Sequence, residues 1–415
     1  MKPSILKNLL RDNPVAVTGM GAFSSAGNSV ETLWNAAVAG QGLAAWQEFD
    51  FENESLRFAV CTAPALDATS PQMHPVRKMD RCVQLAWVAA EQAWKQAQLE
   101  GAYPATRIGI IVASSRGPFS KRNESFKAVG RHKYPPSLSA NSTFASLGGA
   151  LGLALKIRGL GATVSATCAS AAFAIGMAAE QILLGNCDAV LVGGTEAPLQ
   201  SAILAQLHSA GVIGSHEEAQ KTCRPFDLTR NGLVLGEGSG FLILESAAAA
   251  TARKAKIFAL LTGWGLSLDN AGRTSVSEDG AGLLQVMEHA MNLADATVEK
   301  IGYINAHGTG TKMNDAAEAS AVKTLFGEHA AALPCSSTKP VTGHCLGATP
   351  ALEAIIAIEA IRRGIAPPTA NCVQLDPHCP INPLSTGSKA TDISMAMSNS
   401  IGFWGYHGSL IFARA

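Results

Sequence analysis

Short apolar runs alternate along this chain with longer stretches in which apolar residues recur every three or four positions. Strand-like runs fall at Val15–Gly19, Ile108–Ala113, Ala189–Gly193, Phe241–Glu245, Ile301–Asn305 and Ser409–Ala413. Helical periodicity covers Cys82–Leu99, Ala169–Leu184, Gly282–Leu293 and Ala351–Arg362. The strand runs are nearly all apolar, as strands covered on both faces are. The alternation predicts an α/β protein with largely buried sheets.

The pattern also hints at a duplication. VAVTGMGAFSSAGNSVETLW, from Val15, and FALLTGWGLSLDNAGRTS, from Phe258, share the order strand, TGxG, serine. Each half later offers a strand, a sharp turn carrying a reactive side chain, and a helix. No linker rich in Pro, Gly or Ser parts them, so one compact body is expected.

Composition narrows the function. Charged residues are 15% of the 415 and the formal net charge is zero, so no global field points to nucleic acid or a membrane surface. No run approaches the roughly 20 apolar residues of a membrane helix. The opening MKPSILKNLLRDNPVAV lacks the apolar core and cleavage site of a secretory signal. The nine cysteines are scattered and form no CxxC pair, so neither a disulfide framework nor a zinc site is expected. A reduced, cytoplasmic protein without a bound metal fits these features.

One cysteine stands apart. In GATVSATCASAAFAIGMAAE, the run Thr163–Thr167 stops at Cys168 and a small-residue helical stretch follows. A thiol at a strand–turn–helix junction meets unpaired backbone N–H groups and the positive end of a helix dipole. That setting is expected to favour thiolate and to offer donors to an oxyanion. A small buried cysteine in a tight turn is the alternative.

Two later segments carry further chemistry. INAHGTGTKMNDAAE places His307 after a strand, in a Gly/Thr loop, and SSTKPVTGHCLGATPALEAI sets Lys339 and His344 five residues apart before an apolar helix. Neither GxxxxGK[ST] nor GxGxxG occurs, which argues against a nucleotide site.

Taken in order, these segments resemble the elongating β-ketoacyl-acyl carrier protein synthases, condensing enzymes of the thiolase superfamily with a Cys-His-His site. RPFDLTRNGLVLGEGSG (Arg224 to Gly240), PPTANCVQLDP and the closing MSNSIGFWGYHGSLIF extend the likeness over almost the whole chain. The resemblance implies a thiolase-like fold, two pseudo-symmetric βαβαβαββ halves in a five-layered αβαβα body, divided as residues 1–253 and 254–415. It implies a decarboxylative Claisen condensation of a malonyl thioester with an acyl group carried on Cys168. The N–H groups of Cys168 and Phe403 would form the oxyanion hole, and His307 and His344 would stabilise the enolate. Lys339 would fix the site, paired with Glu318, with Asp315 sharing that network; a lone buried ammonium requires an anion. Thr309 and Thr311 would bond to the pantetheine arm.

The same likeness implies no cofactor beyond the phosphopantetheine of an acyl carrier protein. It implies a homodimer, or a heterodimer with a chain-length-factor homologue. Carrier docking would fall to Arg77, Lys78 and Arg81, and to Lys121, Arg122, Lys127 and Arg131 in the stretch Arg116 to Lys133. A thiolase needs a second cysteine near its C-terminus, and the equivalent closing loop here, GFWGYHG, carries none; an initiating synthase has Asn in place of the second His, where this chain has His344. A non-catalytic partner subunit would not be expected to retain the whole Cys-His-Lys-His set.

The closing loop departs from the family's GFGGxN. Trp404 stands where Gly is usual and His407 where Asn is usual. A loop reshaped by Trp404 predicts a preferred acyl group other than an ordinary saturated chain: aryl, polyenoyl or short. Pro350, also unusual, is expected to start a helix.

Overall fold

A computed structural model describes residues 3–51, 54–130, 135–270, 272, 273 and 276–415. The first half runs β1 (Val15–Ser24), α1 (Arg81–Ala97), β2 (Ile108–Ala113), α2 (Ala145–Ala154), β3 (Gly161–Val164), α3 (Ser170–Leu183), β4 (Ala189–Glu196), β5 (Gly238–Ser246). The second runs β6 (Ala259–Leu268), α4 (Ala281–Leu293), β7 (Ile301–Asn305), α5 (Lys312–Phe326), β8 (Cys335–Ser336), α6 (Thr349–Arg363), β9 (Met395–Gly402), β10 (Tyr406–Ala413).

Strand order is β1-β5-β4-β2-β3 in the first half and β6-β10-β9-β7-β8 in the second. The directions match as well. In each half the first two pairings are antiparallel and the last two parallel. The halves join where β1 pairs with β6 through Val15–Val17 and Ala259–Leu261. Helices α3 and α6 pack on each other and on strands of both halves, while α1 covers the outer face of one and α4 that of the other. Five layers result, and the predicted duplication is a real structural repeat.

The repeated TGxG has a physical reason. A Cβ at Gly19 or Gly21 would overlap the carbonyl oxygens of Ala93 and Ala89 in α1. One at Gly263 or Gly265 would overlap those of Ala290 and Val286 in α4. Both pairs of glycines let an outer helix lie directly on its strand. Alanine does similar work in the middle layer: Ala171, Ala174 and Ala178 of α3 and Ala351, Ala354 and Ala357 of α6 are all fully buried. Pro350 sits in the first turn of α6, as expected.

Candidate active site

The turn that presents Cys168 is built from its neighbours. β3 ends at Val164, three residues before Thr167, whose φ of 49° is left-handed. Ser170 secures the turn: its Oγ accepts from Ala166 N at 2.8 Å and donates to Thr167 O at 2.6 Å. Thr167 Oγ1 donates to the Phe403 carbonyl at 3.1 Å, tying the turn to the end of β9, and the Phe403 N–H favours the anionic form of the Cys168 sulfur. A Cβ at Gly402 would overlap Thr167 Oγ1 and stand 3.1 Å from the Cys168 nitrogen, so this junction needs glycine.

The expectation of a resting thiolate is corrected. Cys168 is 8% exposed, lies among Leu233, Leu346 and Phe403, and precedes the first helical residue by two. Burial pushes its thiol up to about 12, against the opposing pull of the Lys339 and Arg116 cations and the Phe403 N–H. The apolar setting outweighs the helix end, and the sulfur rests as a neutral thiol.

His307 and His344 approach from the second half. Their rings stand nearly perpendicular with centroids 5.3 Å apart. Burial, with Lys339 nearby, holds both imidazoles well below their ordinary range, so both are neutral. Lys339 Nζ donates to the His307 carbonyl and lies 3.3 Å from His307 Nδ1. An ammonium there requires the Nδ1 lone pair, which leaves the ring proton on Nε2. His344 Nδ1 bonds with Thr349 Oγ1 at 3.1 Å, at the start of α6.

The carboxylates are assigned differently from expectation. Lys339 pairs with Glu353 of α6 at 2.7 Å, both side chains fully enclosed, and not with Glu318. Glu318 instead accepts from the backbone N–H groups of His307 and Gly308, each at 2.8 Å, and so shapes the histidine loop. Asp315 stands outside the lysine contacts too. It accepts from Thr309 N, Gly310 N and Phe226 N, with the buried Arg230 guanidinium 3.4 Å away. The RPFDLTRNG segment is therefore a brace for the GTGT loop. Burial lifts Glu353 and Glu318 to about 7, with Lys339 pulling the other way.

Cys168, His307, His344, Thr309, Thr311 and Phe403 line one cavity of about 620 Å³, with Trp404 at its edge. Family models for the Beta-ketoacyl synthase N-terminal and C-terminal domains match residues 12–250 and 258–373. The chain belongs to the beta-ketoacyl synthase family. It is 37% identical to 3-oxoacyl-[acyl-carrier-protein] synthase 2 of Vibrio cholerae, over 96% of this chain and 99% of the relative. Identity to the Staphylococcus aureus protein of the same name is 36%, over 96% and 98%. Among solved structures, a beta-ketoacyl synthase from Burkholderia phymatum matches with TM-score 0.88 at 30% identity, over 97% of this chain and all of the other. A type II polyketide ketosynthase in complex with its acyl-carrier protein and bound to a hexaketide also matches with TM-score 0.88, at 27% identity over 97% and 99%.

The closing loop carries two of this chain's departures, Trp404 and His407. Trp404 adopts φ 65°, where the family's glycine would sit without strain, and is 56% exposed. Its N–H donates to the Arg273 carbonyl at 2.8 Å, and the Arg273 guanidinium lies 5.5 Å from its ring centroid. His407 is buried and bonds through Nε2 to Asp269 Oδ2 at 2.7 Å.

The expected docking cations divide. Arg77, Lys78 and Lys127 are exposed. Arg81 is not free for a partner: it grips Glu237 through Nε and Nη2 at 2.8 and 2.6 Å. Arg122 donates to the Arg116 carbonyl and lies over Phe119 and Phe144, and Lys121 pairs with Glu124 at 2.6 Å. Arg131 lies outside the described residues. Two residues that sequence reasoning did not single out belong to the site: Glu353, and Arg116, which lines the cavity. The first of two acidic residues in the otherwise apolar run ALEAIIAIEAI was a usable signal for Glu353.

Proposed function

We propose that this chain catalyses decarboxylative Claisen condensation between an acyl group on Cys168 and a malonyl thioester on acyl carrier protein, extending a fatty-acid or polyketide chain. The supporting observation is the convergence in one cavity of the Cys168 sulfur, the Phe403 backbone and two neutral imidazoles from the other half of the chain. Among the described residues Cys168 is the only cysteine lining that cavity, which disfavours thiolase chemistry.

In the first half-reaction the sulfur attacks the acyl thioester carbonyl. The oxyanion sits against the Cys168 and Phe403 N–H groups; collapse expels the pantetheine thiolate, which takes up the proton given up by the thiol. In the second, the malonyl C–C bond breaks, carbon dioxide leaves, and the electron pair passes to the thioester oxygen. His307 donates to that oxygen from Nε2, and His344 from the nitrogen facing the cavity. The enolate carbon attacks the acyl-cysteine, a C–C bond forms, and Cys168 leaves as thiolate to be reprotonated. Lys339, held by Glu353, fixes the tautomer of His307 and acts as a positioning residue. Thr309 and Thr311 meet the pantetheine arm. No cofactor beyond the carrier's own arm is needed.

The reading includes a dimeric assembly, either of identical chains or with a chain-length-factor homologue, and a cytoplasmic setting in which the nine unpaired cysteines stay reduced. Incubation with acyl- and malonyl-carrier protein tests the chemistry. The expected result is a mass shift on Cys168 matching the acyl group, then stoichiometric carbon dioxide and a β-ketoacyl product. An unmodified Cys168, or turnover in the Cys168→Ala variant, overturns it.

A further inference from the structure

Beside the reacting sulfur lies a charged group that the condensation as written does not use. Arg116 follows β2 in the loop Ser114–Gly117 and lines the same cavity as Cys168. Its backbone is fixed from two sides. Glu196, at the end of β4, accepts from the N–H groups of Ser115 and Arg116, the latter at 3.1 Å, and from Ser114 Oγ at 3.0 Å. Arg122 donates to the Arg116 carbonyl. The side chain is left without a strong partner. Nη1 stands 3.5 Å from Gln206 Oε1, at the limit of a hydrogen bond, and Nε is buried with no partner among the described residues. Arg116 thus presents a half-buried guanidinium, with donors unused among the described residues, to a cavity whose lining also includes Leu207, Val212 and Leu346.

Its place relative to the two half-reactions follows from what it acts on. The Arg116 cation pulls the Cys168 thiol down. Arg116, the Gln206 helix (Ser201–Ser209) and Cys168 all belong to the first half, whereas both histidines come from the second. The guanidinium therefore shares its half with the sulfur that carries the acyl group. An unsubstituted hydrocarbon laid along it would strip water from a cation and give nothing back. A carbonyl, hydroxyl or carboxylate oxygen on the chain would complete it, and a guanidinium's forked donors suit that partner.

We propose that Arg116 is a specificity-determining residue that selects acyl chains bearing a hydrogen-bond-accepting oxygen over unsubstituted saturated chains. The proposal rests on the condensing-enzyme reading above. It is tested by the initial rate of Cys168 acylation, followed by mass spectrometry, from octanoyl-, 5-oxooctanoyl- and suberoyl-carrier protein presented as an equimolar mixture. The ratio of products within one preparation does not depend on how much of that preparation is folded. In the wild type an oxygenated chain is expected to exceed octanoyl by about tenfold or more. Arg116→Met should bring the ratio to unity or invert it, and Arg116→Lys should retain part of the preference. Should Arg116→Met fail to fold, the Arg116→Lys and Arg116→Gln ratios decide. Octanoyl preferred by the wild type, or a ratio unmoved by the substitutions, overturns the role of Arg116. No acylation by any of the three overturns the condensing reading beneath it.

Discussion

Lys339 gathers three groups around one ammonium: the Glu353 carboxylate, the His307 carbonyl and the His307 ring. Burial first, and then a cation so placed, disfavour imidazolium, so His307 stays neutral well below the pH at which a free imidazole takes up a proton. Lys339→Met removes that cation, and the His307 pKa must rise. The acid limb of malonyl decarboxylation should then move to higher pH, alongside a general loss of rate; coincident limbs in the two pH profiles would contradict this. The lysine and the histidines were legible because each stands in a short motif whose geometry is local. Glu353 was not, because its pairing depends on which face of α6 meets Lys339, a tertiary fact. The motif spacing pointed to Glu318, whose carboxylate is occupied by two backbone N–H groups. Trp404 is the second residue with a consequence of its own. Its left-handed φ sets a bulky ring in the lining of the cavity that holds Cys168. Trp404→Gly should change the ranking of acyl substrates of different shape in condensation assays, and identical rankings would show the tryptophan to be neutral.

Strands β2 and β7 lie where apolar runs predicted them, residue for residue, and α1, α3, α4 and α6 to within two residues at either end. These elements are buried on the face their periodicity marks. β9 was harder to read because it carries Ser398, Asn399 and Ser400 into the core, where Asn399 Oδ1 accepts from Ser409 of the adjacent strand. A buried strand that carries polar side chains has no apolar signature. The end of β4 buries a carboxyl in the same way. Glu196 is fully buried, and burial raises its carboxyl from 4.5 to about 7, with the Ser115 and Arg116 N–H groups and the Ser114 hydroxyl opposing. A carboxyl raised on folding stabilises the native state fully below its unfolded pKa, and that contribution is lost as pH rises through its folded pKa. For Glu196 the window is about pH 4.5 to 7. Glu196→Gln keeps an acceptor for the loop and resembles the protonated acid at every pH. The wild type should match the variant near pH 4.5 and become less stable than it by roughly 3 kcal/mol above pH 7. Thermal melts of both proteins across that range measure the difference; parallel curves would mean that Glu196 titrates normally.

At the scale of the whole molecule, the mirrored strand order could not be read from the chain, since pairing order is set by packing between distant elements. Only the TGxG echo and the abundance of small residues pointed to it, and both have a cause: outer helices pressed onto glycine backbones and alanine helices pressed between sheets. Surface charge is the reverse case, where sequence clusters overstate what is available. With zero net charge, steering of an acidic carrier protein must come from a local patch. Arg81 is spent on Glu237 and Arg122 on aromatic rings, so the free cations beside them are Arg77 and Lys78. Exposed charges act on encounter more than on the bound complex and are screened by salt. Arg77→Glu with Lys78→Glu should therefore lower kcat/KM for Cys168 acylation by about tenfold at low ionic strength, leave kcat nearly unchanged, and lose most of its effect at high salt. Arg81→Ala should behave differently, since it strands a buried Glu237: stability falls at every salt concentration. If the double reversal left the low-salt kcat/KM intact, the carrier would dock elsewhere, and Lys127 is the next exposed cation to reverse.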